Sequence, residues 1–184
     1  MEEKMRGAVL SAKYELLDPD PLSGLRRIRA LRDIPEIGVS FGDIGGLVES
    51  ESNLSQDGVA WVSGNARVSG DARVREGAIV SGDAEVLDNA VVTDNAEVTD
   101  SARASGNAVV SGKAAVSGSA LVTDSARASG SALVSGNAVV SGNALVTDCA
   151  WVSGNAVVSG KAVLSGNALV TDSARASGSA AALL

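Results

Sequence analysis

Five aspartates, Asp94, Asp100, Asp124, Asp148 and Asp172, each follow a threonine within turn-rich sequence. Carboxylates recurring at fixed intervals are the raw material of a divalent-cation ladder. A local reading competes with that one and is preferred. Glycine takes the same place in other segments, as in Ser69-Gly70 and Ser141-Gly142, so aspartate there serves backbone geometry. Ser63, Ser69 and Ser141 have no His or Lys in the motif to activate them as nucleophiles. The chain has no histidine at all. It therefore lacks the side chain that titrates near neutrality and most often acts as general base or zinc ligand. Cys149 is the only cysteine, which rules out an internal disulfide and suits a reducing compartment. Gly42-Asp43-Ile44-Gly45-Gly46 lacks both the Lys-Ser/Thr of a phosphate loop and the spacing of a dinucleotide site. The expectation is no catalytic residue, no metal ligand and no cofactor.

The elements that must position any functional side chain are set by a six-residue period. From Ala60 to Ala180 an alanine falls on every sixth residue without a slip, and a second small apolar residue follows two positions later, as in Ala66 and Val68. Residues i and i+2 of an extended segment share a face, so Ala and Val point one way and the residue between them the other. The next three positions hold turn formers, Ser-Gly-Asn or Thr-Asp-Asn. A short strand and a bend, repeated without variation, wind into a solenoid. A helix is excluded by the recurrent glycines, each costing ~1 kcal/mol there. Disorder fits poorly with an apolar pair held in strict phase and a chain that is 45% hydrophobic. Aromatics make up only 2%, too few for an ordinary globular core but enough for stacked rungs of small side chains.

An aliphatic residue with a small one four positions on, Val62 with Ala66 and Val68 with Ala72, resembles the hexapeptide-repeat left-handed β-helix superfamily. That resemblance implies an all-β, single-stranded left-handed β-helix with three hexads per coil, about six to seven coils for twenty hexads. Thr99-Asp100, Thr123-Asp124, Thr147-Asp148 and Thr171-Asp172 recur every 24 residues; this reads as duplication of a four-hexad block rather than a four-sided coil. The superfamily's acyltransferases and carbonic anhydrases work through histidine, which this chain lacks.

Ahead of the hexads, residues 1–12 show no clear pattern and read as a loose N-terminus. Residues 13–59 read as a capping region and 60–184 as the solenoid. Lys13 to Asp18 and Leu25 to Leu31 flank a Pro-Asp-Pro turn and suggest a hairpin. Arg26, Arg27, Arg29 and Arg32 are the only basic cluster, read as a solvated strand face opposite carboxylates rather than an anion site. The run from Arg27 to Asp33, with Gly42-Asp43-Ile44-Gly45-Gly46-Leu47-Val48-Glu49 and Asn53-Leu54-Ser55, resembles the N-terminal block of YdcK-like and phage-encoded β-helix proteins. It implies a cap that covers the first coil and blocks its edge.

Net charge is −7, which argues against a nucleic-acid phosphate binder. No stretch approaches the ~20 apolar residues of a membrane span and no signal peptide is visible, so the cytoplasm is expected. The outward column is more telling. Its first half is mostly charged, whereas from Val109 to Leu169 ten of eleven positions are Val, Leu, Ala or Trp, Arg127 being the exception. Such a run exposed on a monomer is unusual. Val109, Leu121, Leu133, Val139, Leu145, Trp151, Val157, Val163, Leu169, Leu183 and Leu184 are therefore the expected oligomer interface. Trp61 and Trp151, outward on one face of a three-hexad coil, are candidate partner anchors. The functional expectation is a structural or interaction protein that associates with itself as a dimer or small closed oligomer. The alternatives are an acyltransferase-like enzyme, or a repetitive-surface binder needing a flat threonine ladder.

Overall fold

The computed structural model describes residues 12–179 and 181–183. Among them helix is confined to two short 3-10 turns, Pro35–Ile37 and Glu51–Asn53. The rest is strand and corner, because the hexad allows little else. In most repeats Ala and the apolar residue two positions on are buried and the residue between them faces out, as with Ala66, Arg67 and Val68. The following turn is closed by a bond such as Ala66 N–H to Ser63 O at 3.3 Å. Its first central residue has positive φ at every corner: 66° at Gly64, 69° at Gly70, 62° at Glu76 and 60° at Asp124. Left-handed backbone is cheap for glycine and tolerable for aspartate, which explains why those two types alternate there.

Each coil contains three hexads. Val68 pairs with Val86 and Val86 with Ala104, whereas Val92 lies on a different face between Val74 and Val110. Successive coils are therefore eighteen residues apart, and the 24-residue recurrence is a sequence duplication alone. The strands form three parallel sheets, giving a first face through Val68 and Val86, a second through Val62 and Val80, and a third through Val74 and Val92. About seven coils at ~4.8 Å make a stack roughly 30 Å long. Rungs are joined at strands and corners alike, for example Arg67 N–H to Ala84 O at 2.9 Å and Asn65 N–H to Gly82 O at 2.8 Å. The core between the sheets is a column of Ala and Val, most of them with no exposed surface.

At the N-terminal end the chain forms three longer strands, β1 (Tyr14–Pro19), β2 (Arg26–Ala30) and β3 (Ile44–Val48). The hairpin expected from the sequence is β1 with β2, antiparallel. The glycine-rich segment is itself a strand. It pairs antiparallel with β2 and parallel with Arg67–Val68, so the first face continues without a break into the cap. Two glycines permit this. A Cβ on Gly45 would stand 2.5 Å from both Ile28 Cγ1 and Val62 O, and one on Gly46 would stand 2.6 Å from Val62 Cγ1.

Candidate interaction surface

Polar side chains buried in the cap lock it to the first coils. Lys13 has no exposed surface, and its Nζ donates to Ala60 O at 2.8 Å. Loss of hydration and the nearby Arg32 guanidinium hold its pKa down to about 8. The Tyr14 hydroxyl donates to Leu54 O at 2.6 Å, and burial pushes it above the usual phenol range. Asn53 is fully buried and spends its whole amide: Nδ2 donates to Gly70 O and Ala72 O, and Oδ1 accepts from Glu49 and Ser50 N–H. Of the arginine cluster, Arg29 meets Glu15 as expected. Arg27 instead reaches Gly45 O, Gly64 O and Asn65, bolting cap to coil, and Arg26 binds Leu17 O.

The corner carboxylates also bind backbone. Asp88, Asp94, Asp100, Asp124 and Asp148 each accept the N–H of the corner residue one coil further on, at 2.7–3.0 Å. No cluster of three metal-ligating residues occurs among the described residues. The threonines of the 24-residue block fall on three faces: Thr99 and Thr171 follow second-face strands, Thr123 a first-face strand and Thr147 a third-face strand. Thr123 pairs instead with Ser105 at 3.1 Å and Thr147 with Ser129 at 3.1 Å. A continuous threonine ladder does not form.

The outward apolar run is likewise divided, because consecutive hexads lie on consecutive faces. Leu121, Val139 and Val157 form a ladder on the first face, ended by Arg103 and Arg175. Val109 lies on the third face, cut off from Leu145 and Val163 by Arg127. The second face carries Ala115, Leu133, Trp151 and Leu169 without interruption. Trp151 is 47% exposed and Leu169 57%; Leu121, Leu133, Val139, Leu145, Val157 and Val163 are half-buried by their own ladder neighbours. Leu183 ends a strand paired with Val163–Ser165, while Leu184 and residues 1–11 lie outside the described residues.

Trp61 corrects the expectation of an outward anchor. It does share the second face with Trp151, but it is only 3% exposed and meets Tyr14 edge to face at a centroid distance of 6.5 Å. The cap folds over it. Beside it lies a groove of about 260 Å³ lined by Ile37, Val39, Asp43, Ile44, Trp61, Ser63 and Ile79. Ile44 at its rim is 51% exposed, and nearby in sequence Phe41 is 70% exposed. The sequence reading missed this groove. The one available signal was an Ile and the chain's only Phe set among Gly and Asp.

The repeat itself has a known relative. A family model described as the YdcK β-solenoid repeat matches residues 60–76, 66–82 and 150–166. Those segments lie in the first, second and sixth coils of the stack described above. The chain is a β-solenoid whose repeats are similar to the YdcK repeat. No curated protein matches it significantly. No helix among the described residues is long and apolar enough to cross a membrane.

Proposed function

We propose that this β-solenoid is a non-enzymatic structural module of the cytoplasm that associates with itself side by side through its second face. The observation that carries this reading is the unbroken ladder of Ala115, Leu133, Trp151 and Leu169, whose last two members are about half exposed. A rigid flat sheet loses little conformational freedom on docking, which lowers the cost of association. The chemistry of the chain supports a structural role. An acyltransferase of the hexapeptide type needs a histidine base, and this sequence contains none. The exposed free thiol of Cys149 fits a reducing compartment.

The area sets the strength. Four rungs at ~4.8 Å by a face ~15 Å wide offer roughly 300 Å² per partner, well short of the ~800 Å² of a standard stable interface. Contact through this ladder alone gives a transient pair. Sedimentation velocity over a concentration series tests the reading. The intact chain should move from monomer to dimer as concentration rises into the high micromolar range. Leu133→Glu with Leu169→Glu should abolish that shift, while Leu121→Glu with Leu145→Glu, on the other two faces, should leave it. A strict monomer throughout, or robust turnover of acyl-CoA or bicarbonate lost on one substitution in the solenoid, would overturn the proposal.

A further inference from the structure

The second face is apolar at both ends and charged below its middle. Its outward residues pair in the order Trp61, Ile79, Glu97, Ala115, Leu133, Trp151 and Leu169. We infer that two copies pair antiparallel through this face about a two-fold axis at Ala115, so that Trp151 of each copy enters the groove between Ile44 and Ile79 of the second copy. The inference rests on the lateral association proposed above and supplies its geometry. Ala115 is the fourth of those seven residues, so the axis sets Ile79 opposite Trp151 and the groove beside Trp61 opposite Leu169. The half-exposed Trp151 at one end thus meets the groove at the other, with Leu169 beside it. A two-fold interface repeats that contact automatically, i to j and j to i.

Size, charge and area agree. The groove, at about 260 Å³, is smaller than the ~300–1,000 Å³ typical of small-molecule sites and suits a single large side chain. A parallel pair would set Glu97 against its own copy at the ~10 Å spacing of stacked sheets. The antiparallel pair offsets the two carboxylates by a further two rungs, to about 14 Å, which weakens their repulsion. The parallel pair would also press cap on cap and leave Trp151 without a groove. Finally, antiparallel pairing engages the six rungs from Ile79 to Leu169, ~29 Å by ~15 Å or about 430 Å² per partner. The cap shoulder from Ile37 to Ile44 adds to this, and the total stays below the ~800 Å² of a standard interface, in keeping with a weak pair.

Site-directed cross-linking of the full chain separates the outcomes. Cys149→Ser removes the native thiol, and a short bis-maleimide spans the ~10 Å between stacked sheets that a direct disulfide, limited to Cα atoms within ~7 Å, does not. Ala115→Cys should link to itself and double the mass. Leu169→Cys alone should stay monomeric on denaturing gels, but a mixture of Leu169→Cys and Ile44→Cys chains should link to each other. Self-linking of Leu169→Cys, or a sedimenting dimer in which the Leu169–Ile44 mixture fails to link, would overturn the antiparallel arrangement while leaving side-by-side association standing. Absence of any dimer would remove both.

Discussion

Replacing the corner residues of one column tests how the coils are held in register. Asp124 sits at φ 60° and its Oδ2 accepts the Gly142 N–H at 2.9 Å. Asp124→Ala deletes that bond and leaves a methyl-bearing residue in left-handed backbone. A charge-assisted bond is worth ~1.5 kcal/mol at the low end when exposed, and the left-handed conformation costs alanine ~1 kcal/mol. The expected loss is therefore about 2.5 kcal/mol. Asp124→Gly loses the same bond but relieves the backbone, and should cost no more than about 1 kcal/mol. One coil below, Gly106 is at φ 67°, and a Cβ there would lie 2.9 Å from both Asp124 N and Asp124 O. Gly106→Ala adds that overlap to the backbone cost, for about 2–4 kcal/mol. For a chain of this size each kcal/mol lowers the melting temperature by ~2–4 °C. Far-UV circular dichroism melts should rank Gly106→Ala as most damaging, then Asp124→Ala, then Asp124→Gly. If Asp124→Ala melted at or above Asp124→Gly, the corner argument would be wrong.

The cap offers three further tests. Asn53→Ala strands the Gly70 and Ala72 carbonyls and the Glu49 and Ser50 N–H groups; it should cost about 2–4 kcal/mol, read by urea denaturation. Gly46→Ala should lift β3 from the first coil, because its Cβ would approach Ala66 O to 2.8 Å. Protease should then cleave the cap region while residues beyond 70 persist, and unchanged resistance would contradict the close approach. Lys13, with its pKa lowered from 10.5 to about 8, binds fewer protons folded than unfolded between those values, so stability should rise with pH from about 8 to 10. The full shift corresponds to about 3 kcal/mol as an upper bound, nearer 1–2 kcal/mol after solvent screening. Above pH 10 the raised pKa of Tyr14 acts in the opposite sense: stability falls as the unfolded phenol ionises first. Lys13→Met should lose the rise between pH 8 and 10, and a flat profile in the unaltered protein would contradict the burial.

The solenoid was legible in the sequence because each rung must superpose on the next. Ala66 with Val68 repeats faithfully only if every coil presents the same two buried sites, and the Gly and Asp at 70, 88 and 124 share one backbone conformation. The cap was half legible. The β1–β2 hairpin followed from strand residues flanking a turn, but nothing in Gly45-Gly46 marked a strand. Its actual role depends on Ile28 and Val62 lying against it, which no local pattern reveals. Trp61 was misjudged for the same reason: its outward direction is set by the hexad, its burial by Tyr14 some 47 residues earlier. The apolar run from Val109 to Leu169 looked like one strip because neighbours in sequence were read as neighbours in space. On a three-sided coil only residues eighteen apart share a ladder, which divides the run and leaves Ala115, Leu133, Trp151 and Leu169 together on the second face.

Small-angle X-ray scattering over a concentration series tests the central claim most directly. Side-by-side pairing should roughly double the mass while the longest dimension stays near that of one capped stack and the cross-section widens. Scattering that stays that of a single stack at every concentration, or a mass increase that lengthens the particle end to end, would contradict a lateral, self-associating solenoid.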